Sequence, residues 1–141
     1  MDGIELAKSE LIKGNYTCVI VSGEQVVMTS VERGVKPLIV FYEEYTEQRK
    51  HTGVGLVLAD KVIGRASALL AALCGMKSIY AGVISAEAKN TLDDLGIPVT
   101  FERMAPYIKN HAGDGRCPME ELSLGVNDPY EVYLKIKMLE R

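Results

Sequence analysis

Apolar positions recur along this chain with three different patterns, and each change of pattern marks an element. Over residues 4–13, Ile4, Leu6, Ala7, Leu11 and Ile12 fall near helical spacing and Gly14-Asn15 follows as a stop, which predicts a short first helix. Tyr16 to Val21 and Gln25 to Thr29 are rich in β-branched residues and flank Ser22-Gly23-Glu24, a pattern that predicts a hairpin turning at the glycine. From Lys36 to about Lys50, Leu38, Phe41, Tyr42 and Tyr45 follow i, i+3, i+4, i+7. This predicts a helix with Pro37 in its first turn and Glu43, Glu44 and Glu47 facing out. Its aromatic stripe reads as core, with an interface between copies as the alternative.

After Gly53 the alternation gives way to a continuous apolar run, Val54 to Ala59, of strand length. A helical stretch from about Val62 to Leu73 follows, closed by Gly75. Ser78 to Ile84 is a second two-sided apolar run, Ala86 to Leu95 reads helical up to Gly96, and Pro98 to Phe101 reads as strand. Two-sided apolar strands separated by helices of this length predict parallel strands joined by right-handed crossovers. The expected fold is α/β: a three-layer α/β/α sandwich with the antiparallel hairpin at one side. Pro106 to Arg116 reads as a loop. Asp128-Pro129-Tyr130-Glu131 reads as an N-cap, an N1 proline and an N3 glutamate, opening a last helix to Glu140 that buries Val132, Ile136 and Leu139.

Composition narrows the classes. The 141 residues, 48% apolar and 25% charged, suit a single domain over 1–141. A chain of this size buries roughly 68–70% of its unfolded surface, enough for a core without staples. Sixteen basic and nineteen acidic side chains give a net charge of −3 with the signs interspersed, which argues against binding a nucleic-acid backbone. The longest apolar stretches, such as Ala66 to Cys74, are about half of the ~20 residues a membrane helix needs. The start Met1-Asp2-Gly3 lacks a basic signal region. A cytoplasmic protein is expected, and Cys18, Cys74 and Cys117, odd in number and without C-x-x-C spacing, suit a reduced compartment.

In an open parallel sheet ligands bind at the carboxyl ends of the strands, which nominates three loops. In the first, Asp60 reads as an N-cap, with Lys61 and Arg65 one turn apart at a helix start whose dipole disfavours cations. Something negative should stand beside them, either an anionic ligand or a carboxylate from elsewhere in the chain. Gly64 permits a close backbone approach. In the second, Ser85 reads as the cap of the helix that opens with Ala86 and Glu87. In the third, Pro118 suits N1, making Cys117 an N-cap thiol whose pKa the dipole and Arg116 would lower; Asp114 and Glu120 lie in the same segment. Cys18 and Cys74 read as core. His51, His111 and Cys117 have no metal-ligand spacing, so no metal and no cofactor are expected. Two histidines away from strand ends give little support to a Ser-His-Asp or Cys-His hydrolase.

Four segments, Gly34-Val35-Lys36-Pro37-Leu38, Asp60 to Ala66, Tyr80 to Ser85 and Cys117-Pro118-Met119-Glu120, make the chain resemble a family of uncharacterised bacterial and archaeal proteins with the cytidine deaminase-like fold. The resemblance spans nearly the whole chain and implies a mixed five-stranded sheet between helices. Active deaminases carry H-x-E and P-C-x-x-C at the two helix starts. Here those windows read Asp60-Lys61-Val62-Ile63 and Ile84-Ser85-Ala86-Glu87, without His or Cys, so zinc-dependent deamination is not expected. Two functions remain. One is a zinc-independent enzyme acting on a small polar or nucleotide-like molecule, with Asp60, Lys61, Cys117 and Glu120 catalytic and Gly64, Arg65, Ser85 and Arg116 binding the ligand. The other is a ligand-binding or regulatory domain that has lost chemistry. A metal-dependent hydrolase using His111 and Cys117 is the weakest reading, and self-association is left open.

Overall fold

A computed structural model describes residues 2–46, 55–109, 112, 113 and 115–139. His51, His111 and Asp114, with the predicted end of the aromatic helix from Glu47 to Lys50, the strand start at Val54 and the chain end at Glu140, lie outside the described residues. The first helix, α1 (Gly3–Lys13), opens where the Asp2 carboxylate accepts from the Glu5 N–H at 2.9 Å and buries Ala7 and Leu11. The hairpin follows as β1 (Cys18–Ser22) and β2 (Gln25–Ser30). Gly23 takes φ +62°, the left-handed turn conformation that glycine adopts without strain.

The aromatic helix changes type within its predicted span. α2 (Lys36–Phe41) gives way to a π-helical turn, Tyr42–Thr46. The wider turn suits its cross-links. Phe41 and Tyr45 stack with ring centroids 4.5 Å apart, and Tyr42 meets Tyr133 edge-on at 4.9 Å. All three aromatic residues of the stripe pack into or against the core, which is the core reading.

Then come β3 (Leu56–Ile63), α3 (Arg65–Cys74), β4 (Ser78–Ser85), α4 (Ala86–Leu95), β5 (Val99–Ala105), α5 (Pro118–Ser123) and α6 (Pro129–Leu139). The sheet order is β2-β1-β3-β4-β5, with β1 antiparallel to both neighbours and β3, β4 and β5 parallel. Two cores separate the faces. α1 packs with Val19, Val21, Val57, Ala59 and Tyr80 on one side, and α2, α3, α4 and α6 cover Ile20, Leu58, Ile79 and Ile84 on the other. Val132 and Ile136 of α6 are buried as expected, but Leu139 is 62% exposed.

One boundary differs in a way that moves the site. β3 runs through Ile63, so Asp60 is not a helix cap and Lys61 is not in a first helical turn. Val62 and Ile63 pair with Val83 and Ile84 of β4, and two extra ladder positions outweigh an earlier helix start. β5 likewise continues past Phe101 to Ala105, pairing with Ser85.

Candidate functional site

Lengthening β3 turns Asp60 into a strand residue. Strand side chains alternate in direction, so Asp60 shares the face of Leu56 and Leu58 and stands opposite Cys18 of β1, also in that core. It is 6% exposed. One carboxyl oxygen accepts from the Val62 N–H at 3.1 Å, and the Cys18 thiol donates to the same carboxyl. Burial pushes its pKa up to about 8, against these donors and the Lys61 N–H, all of which favour the charged form. The Cys18 thiol is itself held well above its ordinary value by burial and by Asp60.

Asp60 faces a cavity of about 340 Å³ lined also by Thr17, Glu32, Arg33, Gly34, Lys61 and Val62. Thr17 is tied down, its hydroxyl donating to the Glu32 carbonyl at 2.6 Å. Lys61 is exposed and its Nζ lies 3.2 Å from Asn15 Oδ1. A neutral buried acid with two cations at its rim can donate a hydrogen bond or a proton to a polar molecule. Arg33 and Glu32 carry no pattern that marks them in the sequence. Asp60 is nominated in the sequence by its place after an apolar strand, but as a helix cap; its burial inside β3 is not read from the sequence.

The negative partner expected at the α3 start comes from the protein. Gly64 is the N-cap and offers no side chain, and the Glu120 carboxylate, from α5, accepts from the Arg65 N–H at 2.5 Å. A Cβ on Gly64 would lie 2.6–2.8 Å from the three atoms of that carboxylate, so glycine is what admits it. Glu120 is 2% exposed. Burial raises its pKa, opposed by the N–H groups of Arg65 and Ala66 and aided by the neighbouring Glu87. The Arg65 guanidinium donates to Thr91, to the carbonyls of Ser123 (3.0 Å) and Val126 (2.5 Å), and to Asn127 Oδ1 (2.9 Å).

The remaining predicted residues are dispersed along the same edge. Ser85 is fully buried and caps α4, accepting from the Ala88 N–H at 3.0 Å. Cys117 is the half-buried N-cap of α5 with no cap hydrogen bond from its thiol. Arg116 lies 3.4 Å from Glu87 Oε2 and over the Tyr107 ring at 5.1 Å. Buried atoms there lack partners: Glu87 Oε1, Arg116 Nε and Glu120 Oε1. Among the described residues no three His, Cys, Asp or Glu side chains are grouped to hold a metal, so the two helix starts do not fit a deaminase zinc.

Fold and edge together define an α/β protein: a mixed five-stranded sheet flanked by helices, with a buried acid within the central strand β3. The chain belongs to the TM1506 family, a domain of unknown function (DUF1893), whose model matches residues 6–139. A DUF1893 family protein (TM1506) from Thermotoga maritima, known from a crystal structure, shares the fold with a TM-score of 0.78 at 24% identity. The match covers 97% of this chain and 90% of that one. No protein of curated function matches the chain. No helix among the described residues is long and apolar enough to cross a membrane.

Proposed function

We propose that this chain holds a small polar molecule in the Asp60 cavity, in a fold of the cytidine deaminase-like type that works without that type's zinc. The observation that carries the reading is a single one: a carboxyl group buried within β3, its pKa pushed by burial to about 8, on the lining of a cavity of about 340 Å³. In its neutral form Asp60 donates to a carbonyl or oxyanion of the bound molecule, and Lys61 and Arg33 favour one that carries negative charge. In an enzymatic version of this reading Asp60 is the general acid.

A second reading, a binding or regulatory domain without turnover, draws support from the α3 start. The Arg65 guanidinium, which an enzyme at that position would need free, is taken up by bonds within the protein, and one Glu120 oxygen caps α3. Both readings share the Asp60 cavity.

A thermal-shift panel of nucleosides, nucleotides and sugar phosphates on the wild type and Asp60→Asn tests it. At least one compound should raise the wild-type Tm, because a ligand for the folded state stabilises it by mass action, and the rise should shrink in Asp60→Asn. A flat panel, or equal shifts in both proteins, contradicts the proposal.

A further inference from the structure

We propose a second binding site, for a compact phosphate-bearing molecule, in a cavity of about 270 Å³ over the carboxyl ends of β3, β4 and β5. It is independent of the Asp60 reading. Its floor is set by the sheet: Val62 pairs with Val83 and Val83 with Arg103, so one residue from each parallel strand stands in a row. Its far wall is Tyr107, Ile108 and Lys109, the residues that follow β5. The wall is fixed at both ends of its loop. Lys109 bridges antiparallel to Arg116, and the Cys117 N–H donates to the Ile108 carbonyl at 2.8 Å.

The charged side chains that line this cavity have one sign. Its lining contains Arg103 and Lys109 and no acid. Both side chains are exposed, and among the described residues neither forms an ion pair or a side-chain hydrogen bond. A third cation backs the wall: Arg116 lies over the Tyr107 ring, and its buried Nε has no acceptor. Arg116 pairs there with Glu87, 3.4 Å from Nη2, and behind the wall the buried Glu120 carboxylate accepts from the Ile108 N–H. Two unpaired cations on the lining of a concavity whose own side chains include no acid attract a multiply charged anion, and the guanidinium fork matches phosphate oxygens. The small volume limits the ligand to a compact one, and the position is where parallel sheets hold ligands.

Isothermal titration with inorganic pyrophosphate tests the site on the wild type, Arg103→Ala, Lys109→Ala and Asp60→Asn. Both cation positions are exposed, so those variants should fold, which an unchanged Tm without ligand verifies. The expected result is saturable binding of one pyrophosphate per chain. It should weaken at least tenfold in Arg103→Ala and in Lys109→Ala, weaken as salt is added, and stay within twofold in Asp60→Asn. Absence of saturable binding, or equal affinity in the wild type and both cation variants, overturns the proposal. Loss of binding in Asp60→Asn with retention in Arg103→Ala would assign the anion to the other cavity and overturn it too. Citrate binding as tightly as pyrophosphate would overturn the phosphate assignment.

Discussion

Glu120 and Gly64 act as one unit, although 56 positions separate them. The carboxylate supplies the cap that Gly64 lacks, and the missing Cβ supplies the space for the carboxylate. Glu120→Ala should destabilise the chain by ~1–3 kcal/mol, because the Arg65 N–H loses its acceptor in a buried place. Gly64→Ala should cost a similar ~1–3 kcal/mol through the clash. The double variant should cost less than the sum, since the added methyl then enters vacated space. Chemical denaturation of the four proteins measures this, and strict additivity would contradict the coupling. The sequence carried half of this arrangement. Cations at a helix start demanded something negative, but a partner this distant in the chain has no local signature. Asp60 reads in the sequence as a helix cap, because an apolar run with both faces covered gives no alternation to show that the strand continues through an acid.

Among the elements, α3 is the one to which the others are fastened. Arg65, its first residue, reaches α4 through Thr91, the end of α5 through the Ser123 carbonyl, and the segment between α5 and α6 through the Val126 carbonyl and the side chain of Asn127. Arg65→Lys keeps the charge but not the fork. It should destabilise the chain by about 2–4 kcal/mol, leaving several buried acceptors unmatched, and hydrogen exchange should rise first over α5 and the segment up to Asn127. Exchange unchanged in that region would show that Arg65 is not the clasp. Element order, the parallel set β3-β4-β5 and the hairpin were legible from apolar periodicity. The boundary at Val62 was not, because Val62 and Ile63 suit a strand or a helix equally and only pairing with β4 decides between them. The π-helical turn was hidden for a similar reason: aromatic spacing of i, i+3, i+4 does not reveal the wider turn that the stacked rings adopt.

Across the whole molecule, the carboxyl edge of the sheet is where polar groups are buried against the interest of stability. Asp60 has a consequence for the entire fold. Its native pKa, about 8, lies above the ordinary value of 3.8, so between those values the folded chain holds a proton that the unfolded chain has released. Stability therefore falls as pH rises from about 4 to about 8, by at most ~1.4 kcal/mol per pH unit from this group. Asp60→Asn should remove that slope. The same buried neutral acid is the centre of the functional reading, and the family model and the shared fold leave its chemistry open. A carbon-detected NMR titration of the side-chain carboxyl groups, with Asp60 assigned by its loss in Asp60→Asn, tests this most directly. Asp60 should titrate with a midpoint near 8; a midpoint near 4, the ordinary aspartate range, would overturn the reading of Asp60 as a neutral acid.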